Sequence, residues 1–314
     1  MHADIFPPPP PPSAIARRVK AVRAWDWPTV VVLVACLGVF ALALSVQAGV
    51  VQWVLLVMAL TLHSSLSHEI LHGHPFNSDR AGTVLGLVQP GLFIPYLRFK
   101  ALHLAHHHDA TLTDPYDDPE TNYLDPEVWH RLPRWQQQML MFNNTLLGRM
   151  AIGPLIGWVV FVRDDLRKVM AGDRQVALHW LAHVPGVALT LWLVSLSSIS
   201  WLGYLSACYG ALSVLRIRTF LEHRAHERAS GRSVIIEDRG VLSFLFLNNN
   251  FHAVHHMHPK VAWYKLPALY RSRKARFLKV NQGYVYRSYG SIFARHFLRA
   301  KDPVPHPLWQ APDD

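Results

Sequence analysis

The chain has 314 residues, 51% of them hydrophobic, and 31 Lys and Arg against 21 Asp and Glu give it a formal net charge of +10. Only two cysteines occur, Cys36 and Cys208, too few for a disulfide framework or a thiolate metal cluster. No GxGxxG or GxxxxGK[ST] pattern occurs either, so the chain carries no nucleotide fingerprint and any reductant is expected from another protein.

Six consecutive prolines at 7–12 cannot build a helix, and the basic, apolar stretch 16–25 has the spacing of a helix lying along a membrane surface. Residues 1–27 are therefore expected to form a tail and interfacial segment, and 28–314 a single membrane domain. A bilayer core of about 30 Å needs roughly 20 mostly apolar helical residues to cross it. Two stretches meet that need, about 28–72 and 176–222, and each is broken once, near Gln47 and Gly49 and at SLSSIS (195–200). Each reads as a helical hairpin, four spans in all. The intervening apolar pieces at 82–96 and 152–162 are too short to span and are expected to be interfacial or buried.

No Lys or Arg falls between Arg23 and Arg80 or between Arg174 and Arg216. The positive-inside rule then places both termini and the segments 73–175 and 223–314 on the cytoplasmic side, as a helical cap. The positive charge belongs to that face. It suits anionic lipid headgroups or an acidic electron-donor protein, and no nucleic-acid partner is expected.

Twenty histidines occur, and three clusters stand out. HEILH places His68 and His72 four residues apart, hence on one face of a helix, with Gly73 and Pro75 ending it. HLAHHH gives His103, His106 and His107 an HxxHH pattern, with His108 available in an alternative register. HAVHH repeats HxxHH at His252, His255 and His256. All three clusters fall on the cytoplasmic side of the inferred topology. Eight imidazoles exceed what one catalytic metal with an open position can use and suit two. A fourth element, EHRAH, offers His223 as a ninth ligand, with His226 and Glu222 as competitors. Asp114, Asp117 and Asp118 are candidates to accept imidazole N–H groups or to cap turns; Asn250 and its neighbours Asn248 and Asn249 are candidates for a turn or for a contact with metal-bound water; Glu69 is a candidate neighbour of the first box.

The order HxxxH, HxxHH, HxxHH, with LTDPYDDPE after the second box and NNNFHAVHHMHP followed by WYKLP, resembles the membrane fatty acid desaturase and hydroxylase superfamily over about 62–269. The resemblance implies an all-α integral-membrane fold with four transmembrane helices and a cytoplasmic cap. It implies two iron ions held by His68, His72, His103, His106, His107, His252, His255 and His256, with His223 as a further ligand. It also implies O₂ as co-substrate, a lipid or acyl substrate, and electrons from a ferredoxin, rubredoxin or cytochrome b5 system. No HPGG haem signature is present. Acyl desaturation is the expected outcome, and hydroxylation or ketolation of lipid or carotenoid is the nearest alternative, because HPKVAWYKLP looks like the corresponding segment of carotenoid ketolases. HEILH also satisfies the HExxH zinc-protease pattern with Glu69 as base, but that chemistry leaves both HxxHH clusters without work. A metal carrier without redox chemistry would instead string its ligands along a path through the spans.

Overall fold

The computed structural model describes residues 26–107 and 111–310. The proline run, the basic segment up to Trp25, and His108 lie outside the described residues. Among the described residues the fold is all-α apart from one two-residue parallel pairing and two isolated bridges.

The helices α1 (Trp27–Ser45) and α2 (Val50–Leu71) separate where polar residues and a glycine interrupt the apolar run. Gly49 takes φ 52° there, a conformation open to glycine at little cost, and Gln52 donates to Ala43 O across the bend at 2.9 Å. Next come α3 (Asp79–Gly86), N-capped by Ser78, and α4 (Tyr96–His106). The short helices α5 (Pro126–Arg131), α6 (Arg134–Asn143) and α7 (Leu146–Ala151) lead into α8 (Gly153–Met170). This last helix outruns the expected short piece because charged residues from Arg163 to Lys168 extend it on its polar face. The next pair is α9 (Arg174–Ser195) and α10 (Trp201–Thr219), divided at the serine-rich turn.

Three helices, α1, α2 and α9, are long and apolar enough to cross a membrane. Large apolar side chains such as Val31, Val34, Val50, Leu178 and Leu181 are exposed on them. Where a fourth span was expected the chain forms the 19-residue helix α10, which is not among the helices apolar enough to cross: Ser206, Tyr209 and Ser213 interrupt it, and Arg216 and Arg218 occupy its last turn. Among these helices α2 is the most enclosed, packing along α1 on one side and α10 on the other. Ala43, Ala59, Ala207 and Ala211 are buried between them with Phe40, Leu56, Tyr204 and Cys208. Small residues let helix backbones approach closely, and in lipid that packing, not apolar burial, drives association.

The irregular stretch 87–95 is wedged among the long helices. Its carbonyls accept from His183 (to Leu92 O, 2.8 Å), Tyr204 (to Pro90 O, 2.7 Å) and Trp158 (to Phe93 O, 3.2 Å). Non-helical backbone surrounded by apolar helices needs such partners. The fit is close: a Cβ on Gly186 would sit 2.3 Å from Leu87 O. His183 thus bonds between elements through Nε2, while the buried Nδ1 atoms of His183 and His179 have no hydrogen-bond partner among the described residues.

The remaining elements are β1 (Ile235–Ile236), α11 (Val241–Leu245), α12 (His252–Met257), α13 (Leu266–Ser272), α14 (Lys274–Val280), β2 (Val285–Tyr286) and α15 (Tyr289–His296). Strand β1 pairs with β2 and also receives the third histidine box, through Ile236 N to Asn250 O (2.8 Å) and Ala253 N to Val234 O (2.9 Å). A second apolar cluster, including Leu62, Leu66, Ile217, Phe220, Phe246 and Trp263, joins the ends of α2 and α10 to this layer.

Candidate metal centre

The spacing of each box decides where its imidazoles go. Side chains four apart on a helix share a face, whereas neighbours diverge by about 100°. His68 and His72, at the end of α2, point together. At the end of α4, His103 and His107 join that pair while His106 turns away; on α12, His252 and His256 form the other pair and His255 crosses back. HxxHH therefore splits its nitrogens between two places. One group contains His68, His72, His103, His107 and His255, and the other His106, His223, His252 and His256; within each, one nitrogen per residue lies within 4.8 Å of every other. The two groups abut, with the rings of His107 and His256 stacked at 4.3 Å.

The nitrogens that converge are the Nε2 atoms. Those of His106 and His223 are 2.9 Å apart, His103 and His107 3.0 Å, His252 and His223 3.0 Å, His256 and His252 3.1 Å, and His255 and His107 3.2 Å. Four of these rings have an oxygen on the opposite side. His106 Nδ1 faces Asp118 Oδ1 at 2.7 Å, His103 Nδ1 faces Glu120 Oε1 at 2.9 Å, His252 Nδ1 faces Asn249 Oδ1 at 3.1 Å and His223 Nδ1 faces Ser233 Oγ at 3.2 Å. Carboxylate and amide oxygens accept, so His103, His106 and His252 carry a ring proton on Nδ1 and turn Nε2 inward, while the Ser233 hydroxyl holds the His223 ring in the same sense. His68 Nε2 and His72 Nε2 are buried with no hydrogen-bond partner. Lone pairs crowded at about 3 Å repel unless a cation lies among them, and five plus four imidazole nitrogens fit two borderline transition-metal ions.

Burial and neighbouring imidazoles hold His72 down to about 2, and hold His107, His223, His252 and His255 below the ordinary histidine range. They are neutral and ready to ligate at physiological pH. His106 is the exception: burial would lower it, but Glu120, Asp118 and Glu222 overcome that and raise it to about 9. In the metal-free chain a proton therefore occupies His106, and metal must displace it.

The pH consequence has a definite sign. Unfolded histidines titrate near 6.5, so below that pH the unfolded chain binds more protons than the five depressed folded ones, and stability falls at roughly 1.4 kcal/mol per pH unit for each. His106 works oppositely, losing its contribution as pH rises through about 9. Thermal midpoints of metal-free protein in detergent should drop progressively from pH 7 to pH 5; a flat profile would contradict the burial.

The carboxylates and amides sort differently from the sequence expectation. Asp118 faces His106 and also accepts from Thr113 N (2.8 Å) and Glu120 N (2.9 Å), so it takes both of the roles left open for it. Asp114 instead caps its turn, accepting from Tyr116 N and Asp117 N. Asn250 donates to Ile236 O and Asp238 O, and its neighbour Asn249 contacts the imidazole. The chain takes positive φ at Leu247 and Asn248, and that turn decides which asparagine faces the site. Glu69 accepts from Trp263 N at 3.1 Å and has its other oxygen 3.6 Å from His68 Nδ1, behind the ring. It is 3% exposed and tied to WYKLP, which removes it from the protease role of a free base. Glu222 pairs with Arg218 at 3.0 Å and sits 3.6 Å from His252 Nδ1, again behind a ring, while His226 accepts from Arg228 N in a turn apart from both groups.

Sequence reasoning missed Glu120 and Ser233, and offered Asn249 only for a turn or a metal-bound water, not for the imidazole it meets. Glu120 ties the groups together: one oxygen holds His103, and the other is 3.9 Å from His106 Nε2. Its signal was present in LTDPYDDPE, a loop without periodicity to say which acid turns inward. Replacing Asp118 by Asn should weaken metal retention by about 10–100-fold while leaving the helices intact, checked by metal content after dialysis against a competing chelator.

The fatty acid desaturase family model matches residues 45–288 of this chain. The chain belongs to the fatty acid desaturase family. Among curated proteins it is similar to a beta-carotene ketolase from Paracoccus sp. (strain N81106 / MBIC 01143), 24% identical over 225 residues, covering 69% of this chain and 74% of the ketolase. For a fatty acid desaturase family member, two adjoining histidine clusters beside long apolar helices make a dimetal oxidoreductase-like centre associated with a membrane.

Proposed function

We propose that this chain is an integral-membrane, non-haem di-iron oxidase that uses O₂ to remove two hydrogens from a lipid acyl chain. The observation that carries the reading is the split of nine imidazoles into adjoining groups of five and four. In the proposed topology α1, α2, α9 and α10 span the membrane as two hairpins, and both termini and the centre are cytoplasmic. The cation-free stretches between Arg23 and Arg80 and between Arg174 and Arg216 support it, as does the position of His72 and His223 just beyond α2 and α10. Residues 28–314 would then act as one domain behind the 1–27 tail.

Two iron ions, when bound, would supply reductive activation of O₂ to an oxidant able to attack an unactivated C–H bond. His68, His72, His103, His107 and His255 would hold one ion and His106, His223, His252 and His256 the other. Asp118, Glu120 and Asn249 accept from Nδ1 of their rings and so aim Nε2 inward, and Ser233 holds the His223 ring by a hydrogen bond at Nδ1. Glu69, Asp118, Glu120 and Glu222 surround neutral ligands and balance the positive charge. The packed rings exclude bulk water from the centre. Electrons would come from a separate ferredoxin, rubredoxin or cytochrome b5 system.

The 24% likeness to a beta-carotene ketolase favours a second reading, in which oxygen is inserted into a lipid or carotenoid. Iron analysis of the purified protein, with lipid mass spectrometry of cells expressing it, separates the two. Two irons per chain and a product lighter by two hydrogens support desaturation; a product heavier by one oxygen supports hydroxylation, and one that gains an oxygen while losing two hydrogens supports ketolation. One zinc per chain with no lipid product overturns both.

A further inference from the structure

The layer behind the third histidine box is strongly one-sided in charge. No Asp or Glu occurs between Asp238 and Asp302. In that interval α13 and α14 pack on α12 and on each other, and Arg271, Lys274, Arg276 and Lys279 are exposed along them. A cleft of about 370 Å³ opens in this face, lined by Glu237, Arg239, Phe251, Tyr270, Arg271 and Lys274. Its single carboxylate is already engaged, accepting from Tyr270 Oη at 2.6 Å and pairing with Lys274 Nζ at 2.5 Å. The rim is left with a net excess of cations.

The floor of the cleft leads inward. The ring of Tyr270 lies 5.2 Å from that of Phe251, and Phe251 is the residue before His252. Both aromatic rings are buried, 3% and 2% exposed. From the basic rim to a histidine of the four-nitrogen group there is thus a continuous packed route of two rings and one peptide link. A surface made only to attract lipid headgroups has no need of such a route, and among the described residues the exposed large apolar side chains gather on α1, α2, α8, α9 and α10, with none on α13 or α14.

We propose that this cleft is the docking surface for a small acidic one-electron donor protein, with Arg239, Arg271, Lys274, Arg276 and Lys279 steering it and the packed rings of Tyr270 and Phe251 forming the medium through which the electron tunnels toward His252. The inference rests on the di-iron reading. Desaturation of one CH₂–CH₂ unit consumes one O₂, two electrons and two protons and yields a C=C bond and two waters, so two donor molecules are each oxidised by one electron per turnover. Charges around a docking face act mainly on encounter rate and salt dependence, by about ten-fold or more at low salt.

The test uses iron-loaded full-length protein in detergent and an acidic [2Fe–2S] ferredoxin as probe. The variant Arg271→Glu/Lys274→Glu/Arg276→Glu/Lys279→Glu is compared with wild type and with a reversal elsewhere on the cap, Arg163→Glu/Arg167→Glu/Lys168→Glu. Iron content and thermal midpoint establish that each is folded. Expected are ferredoxin binding to wild type and to the α8 variant that weakens steeply with salt, and binding to the α13–α14 variant at least about ten-fold weaker and nearly salt-independent, with slower reduction of the protein by ferredoxin. Equal ferredoxin binding by all three, absence of binding to wild type, or loss only of binding to anionic vesicles in the α13–α14 variant would overturn the assignment. Failure of the underlying reading shows separately, as wild-type protein without two redox-active irons.

Discussion

His255→Ala is expected to abolish lipid oxidation, by more than about 100-fold, and to leave the purified protein with well under two irons per chain. His255 crosses from α12 into the five-nitrogen group, where its ring lies 4.6 Å from that of His68 and 4.7 Å from that of His72. Those two rings have the inward Nε2 atoms with no hydrogen-bond partner, so deleting the fifth ring leaves a cavity beside unsatisfied lone pairs. The neighbouring His256 stays in the four-nitrogen group with His252, and the comparison variant is His226→Ala, whose ring lies outside both groups. Iron analysis and product mass spectrometry read the outcome together. Retention of two irons with more than a tenth of the activity would remove His255 from the ligand set.

The second large effect is predicted at a residue outside the histidine boxes. Arg98, on α4 five residues before His103, makes a two-pronged pair with Asp165 of α8: Nε to Oδ2 at 2.8 Å and Nη2 to Oδ1 at 2.7 Å. Trp180 of α9 donates to the same carboxylate at 2.9 Å. Arg98 and Asp165 are 5% and 3% exposed, and breaking a buried pair from one side strands a charge, typically at a cost of 3–5 kcal/mol. Arg98→Ala should therefore lower the thermal midpoint in detergent by many degrees and reduce iron content as α4 loosens. A double replacement, Arg98→Met with Asp165→Leu, removes both charges and should recover most of the midpoint. If Arg98→Ala unfolds at the wild-type temperature, the pair does not anchor α4.

Which parts of this molecule were readable in one dimension follows from the range of the interactions. The helix breaks at Gly49 and in the serine-rich turn are local events, written as polarity in an apolar run. The division of labour within HxxHH is also local, because helical geometry fixes the angle between adjacent imidazoles. The deciding partners are not local. Glu120 meets His103 from 17 residues away across a loop with several acids, Asp165 meets Arg98 from 67 residues away, and Trp263 meets Glu69 from 194 residues away. Nothing in the spacing of Asn248, Asn249 and Asn250 says which amide will face His252, since the backbone reverses just before them. The helix α10 was expected from its apolar run, and its polar side chains fit its packing along α2, where fewer apolar residues are needed than on a helix facing outward.

The sharing of α4 and α12 between the two nitrogen groups has a bearing on how the proposed ions would be taken up. Seating one ion fixes the rotation of both short helices, and with it the aim of the nitrogens meant for the other, so the first occupant prepares the place of the second. Chains supplied with half their complement of iron should then sort into filled and empty molecules, with few carrying a single ion.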